Sequence, residues 1–148
     1  PNVIEYLTAL DSLEDFIKEC KIIITSLYDI VQKEYSNKSH HLVEKAMGYI
    51  SLHYNEDFSI EDVASFVGYC PNYFSHTFKK CMKKSFSRVL TEYRINQAKR
   101  LLRKPHLRIS EIAEQVGFHD PHYFSQIFSK TTGVSPSDFR KKQNEDAL

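Results

Sequence analysis

The chain says one thing twice. "VGYCPNYFSHTFKK" at 67–80 returns as "VGFHDPHYFSQIFSK" at 116–130, one residue longer. Upstream, "FSIEDVASFVGY" (58–69) pairs with "LRISEIAEQVGF" (107–118) at an offset of 49 residues. There Ile60, Val63, Ala64, Val67 and Gly68 correspond to Ile109, Ile112, Ala113, Val116 and Gly117. Beyond the glycines, Pro71, Tyr73, Phe74, Ser75, Phe78 and Lys80 match Pro121, Tyr123, Phe124, Ser125, Phe128 and Lys130 at an offset of 50. Whatever the fold is, it contains the same local structure in two places.

That structure is readable. Ser59-x-x-Asp62 is a capping box, and Phe58 is placed to staple onto Val63. The second copy keeps the staple, Leu107 onto Ile112, but has Arg108 where the cap should stand, which predicts a weaker helix start. Gly68 and Gly117 suit a turn that needs a positive φ. Pro71 and Pro121 suit the first position of a new helix, where the missing N–H costs nothing. Asp120 is a good N-cap before Pro121, and Cys70 a poor one before Pro71. Ala64 and Ala113 let the two helices of each copy cross closely. Helix, glycine turn, helix is the helix-turn-helix unit.

Between the copies, "SFSRVLTEYRINQAKRLLRK" (85–104) has helical period, and Pro105 ends it. A helix of this length, roughly 25 Å, can hold two recognition helices about one turn of DNA apart. At the other end, Val3, Tyr6, Leu10, Leu13, Ile17, Cys20, Ile24, Leu27 and Val31 repeat at alternating spacings of three and four. That is the seam of a paired helix. Ser12-x-x-Asp15 is a capping box that starts a helix at Leu13 and leaves residues 1–11 elsewhere. Phe16, Ile23 and Ile30 widen the apolar face, which leaves open docking of this helix onto the domain instead of pairing with a second copy. "SNKSHH" (36–41) interrupts the period and reads as a linker before a helix over 41–54.

Charge is unevenly placed. Residues 1–41 hold four lysines against seven acids, a net of −3. Residues 71–108 hold eleven lysines and arginines against Glu92 alone, a net of +10, although the whole chain carries only +1. Such a stripe on an otherwise balanced protein is the footprint of a polyanion partner. The three cysteines, Cys20, Cys70 and Cys81, form no CxxC pair and read as reduced thiols. The start at Pro1, with no signal pattern after it, leads us to expect a piece of a longer chain.

Residues 42–142 resemble the DNA-binding domain of AraC/XylS-type transcription regulators. The resemblance rests on "SIEDVASFVGYCPNYFSHTFKKCMKKSFSRVLTEYRINQAKRLL" and "ISEIAEQVGFHDPHYFSQIFSKTTGVSPSDFRK". The leading segment looks like the linker that precedes this domain in two-component response regulators of the YesN kind. The fold expected is all-α: two helix-turn-helix subdomains (58–82 and 108–131) joined by a central helix (86–104). An amphipathic helix within 1–36, a linker at 37–41 and a tail at 143–148 flank the domain. The resemblance implies sequence-specific binding of double-stranded DNA in the cytoplasm at the nucleoid, with RNA polymerase as a further partner. A homodimer through residues 10–34 is also expected. A helical protein-interaction module and a ligand-sensing regulator remain the alternatives. The sequence departs from the family where Lys83 stands in place of the usual glycine, kept in the second copy as Gly133, and where Cys70 replaces a cap-like serine.

Helical geometry and the resemblance select the same outward positions for base contacts: Asn72, Ser75, His76 and Lys79, then His122, Ser125, Gln126 and Ser129. Asn and Gln pair with adenine and His donates to guanine, and no arginine is present among the eight, so a site leaning towards A·T is expected. Lys80, Lys83, Lys84, Lys99, Arg100 and Lys130 are the candidates for phosphate contacts. Arg94 is open between phosphate binding and bridging the two subdomains. No catalytic residue, metal ligand or cofactor is expected, since the chain has no Walker loop, GxSxG or HExxH. His119-x-x-His122 reads as turn plus DNA contact in preference to a metal site.

Overall fold

The computed structural model describes residues 12–145, which form seven helices and no strand. They are α1 (Leu13–His53), α2 (Ile60–Val67), α3 (Pro71–Met82), α4 (Phe86–Leu101), α5 (Ile109–Gln115), α6 (Pro121–Thr132) and α7 (Pro136–Glu145). The chain divides into two compact units, Pro1–His41 and Leu42–Leu148.

In the first unit, α1 starts where the capping box places it: the Asp15 N–H donates to the Ser12 hydroxyl at 3.1 Å, and that hydroxyl donates to the Asp15 carboxylate at 2.6 Å. The seam residues Leu13, Ile17, Ile24, Leu27 and Val31 are all exposed, from 45% at Ile17 to 74% at Leu13. Val3, Tyr6 and Leu10 lie outside the described residues. Residues 36–41, expected as a linker, are helical. None of the six is Gly or Pro, so nothing there breaks the hydrogen-bond ladder. Loss of the apolar period marked the end of an apolar face and not the end of a helix.

The second unit is built around two cores. Leu42, Ala46 and Ile50 of α1, Val63, Ala64 and Val67 of α2, Phe74 and Phe78 of α3, and Phe86 and Val89 of α4 form the first. Ile95 and Ala98 of α4, Leu102, Ile112 and Ala113 of α5, Val116, Phe118, and Phe124 and Phe128 of α6 form the second. Neither short helix, α2 or α5, could hold itself together in water. Each stands because its apolar face is covered by the helix after it and by α4.

The repeat extends to single hydrogen bonds. Tyr69 N–H donates to Ala64 O at 2.9 Å, and Phe118 N–H donates to Ala113 O at 2.9 Å. Gly68 and Gly117 both sit at φ +87°. The caps differ as the sequence requires. Ser59 and Asp62 bond reciprocally, and the Ser59 N–H holds the Asp62 carboxyl below the usual carboxylate range. At α5 only half a box forms: the Arg108 N–H donates to Glu111 at 2.6 Å, because a guanidinium cannot accept. Asp120 accepts from the His122 N–H at 2.8 Å, whereas Cys70 makes no side-chain cap. Lys83 adopts φ +58°, the left-handed conformation that Gly133 adopts at +82°. The lysine therefore keeps the turn and accepts the strain.

Two features were not foreseen. The central helix ends at Leu101, earlier than residue 104, with Leu102 as its cap. Helix α7 occupies 136–145 and reaches into the expected tail. Phe139 lies 5.5 Å edge-on to Phe128, and the Arg140 guanidinium donates to Leu107 O at 2.8 Å, so α7 closes the second core. Its signal is local: Ser135 caps the helix, its hydroxyl accepting from the Asp138 N–H at 3.1 Å and donating to the Asp138 carboxylate at 2.6 Å.

The two turn glycines give a direct check. A carbon added at Gly68 meets nothing within 4 Å, whereas at Gly117 it would lie 2.8 Å from Tyr54 O and 3.0 Å from the Arg94 guanidinium. Gly68→Ala is expected to cost roughly 1 kcal/mol for its φ alone. Gly117→Ala should cost at least about twice that in urea unfolding. In the opposite direction, Lys83→Gly should stabilise by roughly 0.5–1 kcal/mol, read as a raised midpoint.

Candidate DNA interface

Helices α3 and α6 each run twelve residues from a proline. On α3, Phe74, Thr77 and Phe78 are buried, which turns Asn72, His76 and Lys79 outward, all exposed. On α6, Phe124 and Phe128 are buried and Ile127 half-buried, leaving His122 and Gln126 exposed. The cores thus fix which side of each helix faces away from the domain. The pairs Asn72/His122 and His76/Gln126, which differ between the copies, sit on that side, and the shared pairs Phe74/Phe124 and Phe78/Phe128 sit inside.

The paired serines behave differently from their neighbours. Ser75 Oγ donates to Pro71 O at 2.8 Å, and Ser125 Oγ donates to Pro121 O at 2.9 Å. Both are half-buried. A serine or threonine inside a helix can donate back to the carbonyl four residues before it, as Thr91 does to Ser87 O at 2.8 Å. Each hydroxyl therefore offers only its acceptor lone pairs to a base or phosphate donor. Ser129 is half-buried as well.

Among the basic residues, Lys80, Lys83, Arg100 and Lys130 are exposed, and Lys84 and Lys99 are half-buried. Lys84 Nζ lies 2.7 Å from Glu92 and Arg88 Nε 3.2 Å from it. The Lys84 ammonium, aided by Arg88, holds the Glu92 carboxyl below the usual range. The one acid of the basic stripe thus takes up one of the expected phosphate ligands. A groove of about 510 Å³ lined by Arg88, Glu92, Ile127 and Lys130 lies between α4 and α6.

Arg94 is directed at main-chain carbonyls of the first subdomain. Its Nε donates to Tyr54 O at 2.6 Å and its NH2 group donates to Glu56 O at 3.0 Å. Its guanidinium stands 5.8 Å over the Phe118 ring. Burial lowers its pKa from the ordinary arginine value, and the charge of Asp57 opposes that. His119 also looks back to the first subdomain, 2.8 Å from the Asp57 carboxylate. No local pattern marks the Arg94 and His119 hydrogen bonds, because their partners lie 38 to 62 residues apart.

Residues 63–142 match the family model described as a helix-turn-helix domain. The chain is 32% identical over 138 residues to the transcriptional regulator YijO of Escherichia coli K12, covering 93% of this chain and 47% of YijO. It therefore spans less than half the length of that relative. The C-terminal domain of AraT, a response regulator from Geobacillus stearothermophilus, superposes with a TM-score of 0.65 at 40% identity, over 68% of this chain and 84% of that one. The C-terminal domain of the two-component response regulator yesN from Fusobacterium nucleatum gives 0.62 at 33% identity, over 66% and 95%. With the duplicated recognition helices on one scaffold, these matches establish that the chain belongs to the AraC/XylS family of helix-turn-helix DNA-binding transcription regulators.

Proposed function

We propose that this chain reads double-stranded DNA with α3 and α6 in successive major-groove segments, as the output part of a phosphorylation-controlled response regulator. The carrying observation is that the two recognition helices share their buried phenylalanines, Phe74/Phe124 and Phe78/Phe128, and differ at the exposed pairs Asn72/His122 and His76/Gln126. Asn72, His76 and Lys79 correspond to His122, Gln126 and Ser129 as the variable set. His76 and Gln126 are the leading specificity residues, with Ser75 and Ser125 as acceptors. The response-regulator setting is supported by AraT and the Fusobacterium yesN domain, both C-terminal domains of response regulators. RNA polymerase is a further partner in this reading, and the site of action is the cytoplasmic nucleoid.

Lys80, Lys83, Lys99, Arg100 and Lys130 neutralise phosphates, with Lys84 excluded while Glu92 holds it. Five such contacts give a log–log salt slope of roughly −4 to −5 in duplex binding. A flat slope would remove the phosphate assignment. Selection from random duplexes should return two half-sites leaning towards A·T, and a consistently G·C-rich motif would overturn that preference. The stretch 107–140 carries three basic residues against four acids, so the first unit supplies most of the affinity. Asn72→Ala with His76→Ala should therefore weaken binding more than His122→Ala with Gln126→Ala, and equal losses reject the asymmetry.

The seam of α1 takes a second copy of itself in this reading. Ile17, Ile24 and Val31 alternate with Leu13, Cys20 and Leu27, and β-branched residues alternating with leucines suit a parallel two-stranded pair. Sedimentation should give a dimer mass for the chain and a monomer mass for Ile24→Glu with Leu27→Glu. Monomer masses for both would remove the pair.

A further inference from the structure

We propose that Arg94 is a positioning residue that locks the two helix-turn-helix units at one angle, and so sets the separation of the two DNA half-sites. The consequence for half-sites rests on the DNA reading above; the lock itself does not.

The two cores have little in common besides α4. Phe86 and Val89 belong to the first, and Ile95 and Ala98 to the second. Arg94 lies at the changeover. Of the residues packed against the cores, Tyr54 is shared by both. Two cores strung on one helix could rock about its middle, since helices bend at small cost. Something must stop the rocking if both recognition helices are to meet a duplex in phase.

Arg94 does this from α4 by binding in two directions. Its two N–H donors take the Tyr54 and Glu56 carbonyls at 2.6 and 3.0 Å. Those carbonyls follow the end of α1, where main-chain acceptors lack helical partners and carry partial negative charge. The other side of the guanidinium covers Phe118, the residue that opens the turn into α6. Gly117 completes the joint, since only a residue without Cβ lets Tyr54 O and the guanidinium come so near. The Asp57–His119 pair, 2.8 Å apart and exposed at both ends, adds a polar tie beside it. Charge, two directed donors and a flat face are all used, which is why lysine would not substitute.

The test reads angle and DNA binding separately. Spin labels at Glu61→Cys on α2 and Glu114→Cys on α5, both exposed positions, report the distance between units. The background is Cys20→Ser, Cys70→Ser and Cys81→Ser, diluted with unlabelled chain. The parent should give a narrow distance distribution, Arg94→Ala a broad one and Arg94→Lys an intermediate one. On duplexes obtained by selection, Arg94→Ala should lose roughly ten-fold affinity where both half-sites are present and under about two-fold where one is scrambled. Its own selected half-sites should keep their bases and vary in separation. A narrow distribution in Arg94→Ala, or equal losses on both duplexes, overturns the lock. Should Arg94→Ala fail to fold, the same measurements on Arg94→Lys decide it, and a width equal to the parent's overturns it. A parent chain that binds no duplex overturns the half-site consequence together with the DNA reading, while the distance widths still judge the lock.

Discussion

Helix α4 is the wall that both cores share, and each helix-turn-helix unit depends on it. A pair of short helices crossing at an alanine cannot enclose a core; it leaves one side open. Phe86 and Val89 cover the open side of the first unit, together with Leu42, Ala46 and Ile50 of α1. Ile95, Ala98 and the following Leu102 cover the second, with Phe139 of α7 packed against it. Ser85, whose hydroxyl accepts from the Arg88 N–H at 3.4 Å, starts α4 just after the strained turn at Lys83. The end of α3, the turn and the start of α4 are therefore one continuous construction. A change in the turn propagates into both recognition helices through the helix they lean on.

Much of this was legible because it is local. The repeat, the capping boxes, the proline starts and the buried phenylalanines are all patterns within a turn or two of helix. They predicted α2, α3, α5 and α6 and the outward faces of the recognition helices. Two local signals were misjudged. The polar run at 36–41 lost its apolar period without losing its helix, since period reports burial and not backbone. The cap Ser135-x-x-Asp138 marks the start of α7 within what reads as the domain's end and tail.

What the sequence hid is non-local. Arg94 reaches carbonyls 40 and 38 residues back, and a carbonyl is offered by every residue, so no side-chain pattern could point to them. Asp57 and His119 pair across 62 residues. Lys84 looked like any other lysine of the basic stripe until Glu92 was found 2.7 Å from it, eight residues on. In the same way Ser75 and Ser125 lie at outward positions but spend their donors on the proline carbonyls below them. The pattern named the interface; the neighbours decided how much of each residue it can use.

Uneven charge and a fixed joint explain each other on the proposed reading. The stretch from 71 to 106 carries a net +9, ten basic residues against Glu92, while 107–140 is slightly acidic, so α6 could not hold a duplex through phosphate attraction alone. It need not. Once α3 is seated, a rigid connection presents α6 to the adjacent groove segment at a high effective concentration, and discrimination there requires only a few directed contacts. The weaker the second unit's own attraction, the more its contribution depends on being held in phase. A loose joint would leave a basic first unit that binds many sequences and a second that reads none. The half-buried guanidinium at α4 is therefore of a piece with the thin charge of the second unit, since the geometry supplies what the electrostatics there do not.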